Sequence, residues 1–595
     1  MQFKLSVATA TALALLMGAA YADSNFANVE QNGADNGGVV TQGPGSGNRF
    51  GTQGGSPGAA LQSGSNNDLN ILQSGDFNEI GTTGSGFDQS GKRNHANITQ
   101  TWDRNTVGEV RQVDQTSSGS ATRNTLKITQ DGGSINSVTS VLQTRTNGFN
   151  GQDGNDATIT QFGSRNQIGR ISQTGRTNSA EVTQTGNRNK AGTIRQDGTG
   201  NEAVLTFTGA RNGATGFDTS GGLGNDAFGS LSQGDIRQNG LGNILHFSAN
   251  GDGTAFGFDQ NGIANSIEGS ISGNGNQIGV GQDGSANRVG IVVGSGNRND
   301  VYITQASGAI GDAEVSIAGD RNGVGIAQAG NRNAATVDIA GNANLVTVTQ
   351  ASLLLGNTAT VDVLHGNDNS VDIDQDNFSR AKVTIQGNRN TTDIDQTGNN
   401  DATVDIDGNR NTVSSLQTTG LLGSNVLNVD VTGSQNGFRA TQKISGGGTN
   451  TANVSFTGNN NHLDVTQTKS GLGSGNSLTV TLYGNRNNDP ALGGFSFPAL
   501  TDAVALAKSI VPLPSSFGPG TIYQAGKGNM ITLKVGSPTE DSNRNLFAFA
   551  QNGNANGIDG SINGIGNQAV VVQNGDSNFT SFSQVGNFNV LGVSQ

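Results

Sequence analysis

Four aspartates are the residues of this chain best spaced for ion chemistry. The segments VDIDQ (371–375) and TDIDQ (392–396) lie about one repeat apart. Stacked, they place Asp372 over Asp393 and Asp374 over Asp395, and carboxylates ~5 Å apart repel unless protonated or bridged by a cation. The pattern reads two ways. It is a weak calcium site that makes assembly ion-responsive, or a solvated acidic face that discourages lateral clumping. A second calcium-like signal is GGLGNDAFG, Gly221 to Gly229, which fits the nonapeptide GGxGxDxUx. A calcium roll needs several stacked copies, so a single copy reads as a Gly-rich loop. The four histidines, His95, His246, His365 and His462, are far apart in sequence and form no Ser, His and Asp set and no metal-ligand spacing. With no cysteine, thiolate ligands and thiol nucleophiles are excluded. No enzyme is expected, and no cofactor other than calcium. Trp102, the only tryptophan, reads as a surface or loop aromatic, with sugar stacking as the sharper alternative.

The residues that recur most strictly are amides. The unit Asn-x5-Gln-x-Gly-x-x-Asn repeats along most of the chain, the second Asn opening the next copy. Clear copies run from Asn94 to Gln100, Asn178 to Gln184, Asn390 to Gln396, Asn411 to Gln417, Asn461 to Gln467, Asn578 to Gln584 and Asn589 to Gln595. Buried without partners, each amide costs about 1–3 kcal/mol. Stacked over its own copies at ~4.8 Å, it finds a donor and an acceptor above and below.

That requirement dictates the elements. Each copy is a seven-residue alternating piece followed by a connector such as TGN, NGDS or VGNF. Alternation is a strand signal, because successive side chains point to opposite faces. In NSAEVTQ, Asn178, Ala180, Val182 and Gln184 share the inward face. Connector Gly and Asn supply the positive φ that a tight reversal needs. From residue 328 onward the closing residue alternates between Gln and an apolar residue: Gln328, Ile339, Gln350, Val363, Gln375, Ile385. Two strands therefore make one rung of about 22 residues. The expected fold is all-β, a two-sheet parallel β-solenoid of strand-turn-strand rungs with Asn and Gln ladders.

Composition agrees with stacking rather than with a globule. Only 32% of the 595 residues are apolar and 93 are Gly, too lean for several ordinary cores, while a net charge of −13 is too small to enforce disorder. An acidic chain also lacks the basic footprint of a nucleic-acid binder. Residues 1–22, with Lys4, an apolar run and Ala20-Tyr21-Ala22, read as a secretory signal, and no transmembrane segment is expected after it. Repeats are expected over 23–488, with loop excursions near 43–60, 112–130 and 213–233, and again over 524–595. Between them, 489–523 contains five of the eight prolines, which a sheet ladder does not accept. Its LTDAVALAKSIV has helical spacing, with Thr501 or Asp502 as N-cap and Pro512 as stop. A helical insertion packed on the solenoid is expected there; a partner-docking or membrane-touching element is the alternative.

The repeat, behind a secretory signal in a Cys-free chain rich in Gly, Asn and Gln, resembles the curlin repeat of bacterial curli fibre subunits. The resemblance implies ladder roles for Asn178, Gln184, Asn390, Gln396, Asn411, Gln417, Asn461, Gln467, Asn578, Gln584, Asn589 and Gln595. It also implies export through the outer membrane by dedicated machinery, a nucleator subunit as partner, and self-association at the cell surface into amyloid-like fibres for adhesion and biofilm matrix. The chain is unusually long for such a subunit, and its apolar closing residues depart from the family pattern. A monomeric β-solenoid adhesin that binds carbohydrate, ice or another surface is the alternative. The repeat that closes at Gln595 is expected to offer an edge strand to another copy.

Overall fold

The computed structural model describes residues 7–8, 24–51, 60–115, 124–146, 154–217, 231–353, 355–420, 422–512, 517–540 and 542–595. It divides into two compact units, Met1–Ile310 and Gly311–Gln595. Each is a two-sheet parallel β-solenoid. Sheet I denotes the set of strands that includes Gln167–Arg176 in the first unit and Thr391–Thr397 in the second, and sheet II the strands that alternate with them.

In the first unit, sheet I includes Ser137–Arg145, Gln167–Arg176 and Lys190–Thr199, while sheet II includes Asp156–Phe162, Ser179–Asn187 and Glu202–Ala210. Every named pairing is parallel and in register, so that Gln143, Gln173 and Gln196 align in one sheet and Ile159, Val182 and Leu205 in the other. The alternation carries this directly. Asn178, Ala180, Val182 and Gln184 are buried between the sheets, while Glu181 is exposed. A one-residue slip would turn that apolar set out to water, so burial holds the register.

The second unit follows the same plan, with Leu345–Ser352, Ser370–Asp376, Thr391–Thr397 and Thr412–Thr419 paired in sheet I. In sheet II the strand backbone is interrupted between residues 400 and 457. Asp405, Asp430 and Ser455 adopt left-handed φ of 84°, 78° and 86° at equivalent places, yet Ala402, Val404, Ile406, Leu427, Val429 and Val431 still point inward. The irregularity itself repeats from rung to rung.

The connector glycine is needed twice over. Gly387 has φ 118°, and a Cβ there would lie 1.9 Å from the carbonyl oxygen of Gly408 in the next rung. Two residues later the chain again turns left-handed, this time through a side chain: Arg389 at 59° and Arg410 at 57°.

The Pro-rich segment forms a helix, Thr501–Ile510. Neither Thr501 nor Asp502 caps it. Leu500 holds the N-cap position with no side-chain bond, because the 3-10 turn Pro498–Leu500 runs straight into the helix. Leu500, Ala503 and Ala507 pack on the outer face of sheet I against Ala548, Ala550, Val570 and Val572. Those strands, LFAFAQN and QAVVVQN, are apolar on both faces because both are covered. Strand structure resumes at Thr521–Ala525.

Strands Thr106–Asp114 and Thr125–Asp131 enter the 112–130 stretch read as a loop, since Gln112 and Gln130 take buried stacking positions. Residues 52–59, 116–123 and 218–230, parts of the three expected excursions, lie outside the described residues, as does the whole of Gly221–Gly229. Of residues 1–22, read as a signal, only Val7–Ala8 is described, beside Gln31 and Asn32. Among the described residues no helix is long and apolar enough to cross a membrane.

Candidate functional site

The chemistry of this molecule is concentrated in its stacked amides. Along sheet I of the first unit, each Gln Nε2 donates to the Oε1 of the next, from Gln62 through Gln89, Gln112, Gln143, Gln173, Gln196, Gln238, Gln260 and Gln282 to Gln305, at 2.8–2.9 Å. In the second unit the same chain of bonds joins Gln375, Gln396, Gln417, Gln442 and Gln467 at 2.7–2.9 Å. The second Nε2 hydrogen crosses to the facing sheet, as from Gln196 to the Ser179 carbonyl at 2.7 Å and from Gln417 to that of Asp401 at 3.0 Å. All of these glutamines but Gln396, which bonds only along its own column, therefore stitch neighbouring rungs and both sheets.

Sheet II has its own ladder, Gln42, Gln73, Gln100, Gln130, Gln161 and Gln184, at 2.8–3.0 Å. It stops there. The residue in register after Gln184 is Phe207, then come Ala249, Ile271 and Val293. Phenylalanines fill the changeover: Phe207 stacks on Phe256 at 5.0 Å between centroids, and Phe247 lies 6.3 Å from Phe207 and 4.9 Å from Phe258. The Gln-to-apolar alternation read from residue 328 therefore begins more than a hundred residues earlier. It was hidden by the Ala and Phe that take the closing position first.

The asparagines work on the backbone more than on one another. Asn390 Oδ1 accepts the backbone N–H of Asn411 at 2.9 Å, while Asn390 Nδ2 donates to the Gly408 carbonyl at 2.9 Å. Asn94, Asn178, Asn411 and Asn461 make bonds of the same kind, receiving or giving across one rung. They pin the turns. At the last rungs the pattern thins: Asn578 Nδ2 and Gln584 Oε1 are buried without partners, while Asn589 donates to Asn567 and Gln595 accepts from Gln573, both at 3.0 Å.

A further ladder was not anticipated. The first Asn of the Gly-Asn-x-Asn connector also stacks: the backbone N–H groups of Asn342, Asn367 and Asn388 donate to the Oδ1 of Asn367, Asn388 and Asn409, each at 2.8 Å. Its bonds run opposite to those of the second Asn, so the left-handed residue between them is held from both sides. The recurring tetrapeptides GNAN, GNDN and GNRN were the available signal.

The structure places Asp372 beside Asp393 and Asp374 beside Asp395 in adjacent outward-facing strands. Partial burial first, then neighbouring aspartates, push the carboxyls of Asp374, Asp393 and Asp395 above the usual range. Asp372 instead accepts the Thr347 hydroxyl at 2.6 Å. Among the described residues, no three His, Asp or Glu side chains gather as a metal-ligand set. His95 pairs with Asp68 at 3.0 Å and His246 with Glu202 at 3.2 Å, on separate rungs. Burial, ahead of its charged neighbours, holds the His462 imidazole below its ordinary value. Trp102 is 57% exposed in a turn, with φ 69°.

A family model described as the curlin associated repeat matches residues 64–101, 153–186 and 319–351. The first two segments hold ladder glutamines of both sheets, among them Gln73, Gln89, Gln161 and Gln173. No curated protein matches the chain significantly.

Proposed function

We propose that this chain, three segments of which match the curlin associated repeat, is a secreted structural subunit which stacks into extracellular, amyloid-like fibres for cell adhesion and biofilm matrix. The observation that carries this reading is the sheet I glutamine ladder, in which every rung offers the same amide and backbone groups to the next. Such a ladder is indifferent to whether its next rung belongs to the same chain or to another. Export through an outer membrane and a nucleating subunit belong to the same proposal, and the role is structural rather than catalytic.

A second reading, a monomeric solenoid adhesin for carbohydrate, ice or another surface, draws on the apolar column of sheet II. From Phe207 onward that column packs a core needing no neighbouring chain. One experiment separates the two. Purified full-length protein is followed by thioflavin-T fluorescence and fibre diffraction. Growing fibres with a ~4.7 Å reflection along their axis are expected, and a chain that stays monomeric for days overturns the fibre reading.

A further inference from the structure

We propose that the turn edge of the first unit is a binding groove for a polyuronate, an anionic polysaccharide with one carboxylate per sugar. Arg165, Arg188 and Arg211 occupy the left-handed position of three successive connectors, each at φ 61°. Their backbones stack directly: Arg188 N–H donates to the Ser164 carbonyl at 3.0 Å and Arg211 N–H to that of Asn187 at 3.1 Å. All three side chains are exposed, and among the described residues none has a carboxylate in ion-pair range. They line a groove of about 690 Å³ together with Ser134, Ile135 and Asn187. Asp252, at one end, is already engaged by the Ala210 backbone N–H at 2.7 Å.

Three guanidinium groups on consecutive rungs repel one another, and among the described residues that line the groove only Asp252, at one end, carries the opposite charge. A carboxylate repeated at about the rung spacing of ~4.8 Å relieves the repulsion, through paired N–H···O bonds that guanidinium and carboxylate geometry favours. The Ser134 hydroxyl and Asn187 amide suit sugar hydroxyls. The connector that precedes Ile135 carries exposed Trp102, an apolar face for a pyranose ring. Nucleic acid fits less well. Duplex DNA carries a charge every ~1.7 Å and needs a broad basic footprint, whereas this chain has a net charge of −13. A single strand needs a row of aromatics to stack on, whereas the groove walls hold none and Trp102, one connector away, is a single ring.

The second unit contains an internal control. A similar groove there holds Arg389 and Arg410, but Asp368 takes the turn position before them and lies 3.7 Å from Arg389 Nε. The first groove belongs to a single chain, so the inference stands whether or not the protein forms fibres.

The test is fluorescence polarisation of a labelled polymannuronate oligomer against full-length protein. The variant Arg165→Gln/Arg188→Gln/Arg211→Gln keeps the turn, because Gln435 adopts φ 61° at the same position of another connector. It is expected to bind about tenfold or more weakly, the loss of three exposed charge contacts. Arg389→Gln/Arg410→Gln is expected to bind as the parent does. Should the triple variant not fold, the parent's own salt response serves: binding must weaken as ionic strength rises. Equal binding by the triple variant, salt-independent binding, equal competition by a neutral dextran, or tighter binding of a single-stranded DNA oligomer each overturns the proposal.

Discussion

Two stretches of sheet II in the first unit solve the same packing problem differently. Between Gln42 and Gln184 the closing position is an amide bonded to its copies; from Phe207 to Val293 it is apolar. The facing column of sheet I remains glutamine across both stretches. A single ladder therefore suffices to carry an unbroken amide column through the rungs, and the second column is free to trade hydrogen bonding for burial. The trade is not symmetrical. An apolar column tolerates changes of shape, whereas an amide column fails wherever one member is missing, because the neighbours on both sides lose a partner.

The largest effect is expected at the changeover. Phe207 is fully buried against Phe247 and Phe256, and Phe207→Ala should destabilise its rungs by about 3–5 kcal/mol. Because each rung touches only its neighbours, the loss belongs to a local unit, and amide hydrogen exchange around Glu202–Ala210 and Ile244–Asn250 is the measurement. Protection that is unchanged there would show that the aromatic cluster is not what joins the two stretches. Next comes Gln130→Leu. It strands the Nε2 of Gln100 and the Oε1 of Gln161, at about 1–3 kcal/mol for each orphaned group. Ile271→Val, in the apolar column, should cost only about 0.5–1.5 kcal/mol. If exchange rates rise equally in these two variants, the asymmetry between amide and apolar columns is wrong.

How much of this the sequence disclosed follows from the same physics. Alternation along seven residues fixes which side chains face inward, so Ala180, Val182 and Gln184 were legible from NSAEVTQ alone. The bonding partners were not, because stacking order depends on which strand lands on which. Gln196 bonds to Gln238 across an intervening stretch of 41 residues, and no local pattern announces that neighbour. The connector ladder through Asn342, Asn367 and Asn388 escaped notice because Gly, Asn and Arg in a turn already had a sufficient explanation in backbone conformation. The helix was legible in LTDAVALAKSIV, but its docking surface had to be inferred from LFAFAQN and QAVVVQN, where alternation fails on both faces.

Stacking like over like, which satisfies amides inside, works against carboxylates outside. Asp372 and Asp374 lie directly beside Asp393 and Asp395, and the carboxyls of Asp374, Asp393 and Asp395 are raised by partial burial and by one another. A raised carboxyl means that the folded chain holds protons which the unfolded chain has already released. Between the ordinary value of 3.8 and the raised folded values, stability therefore increases as pH falls and is lost as pH rises through them. The groups are largely exposed, so the effect is the smallest of the series, below about 1 kcal/mol. Asp393→Asn/Asp395→Asn should slow exchange in Thr391–Thr397 at pH 7 and flatten its dependence on pH between 4 and 7. An unaltered pH profile would mean that solvent already screens the column, leaving the outward face neutral to the register that the inner amides impose.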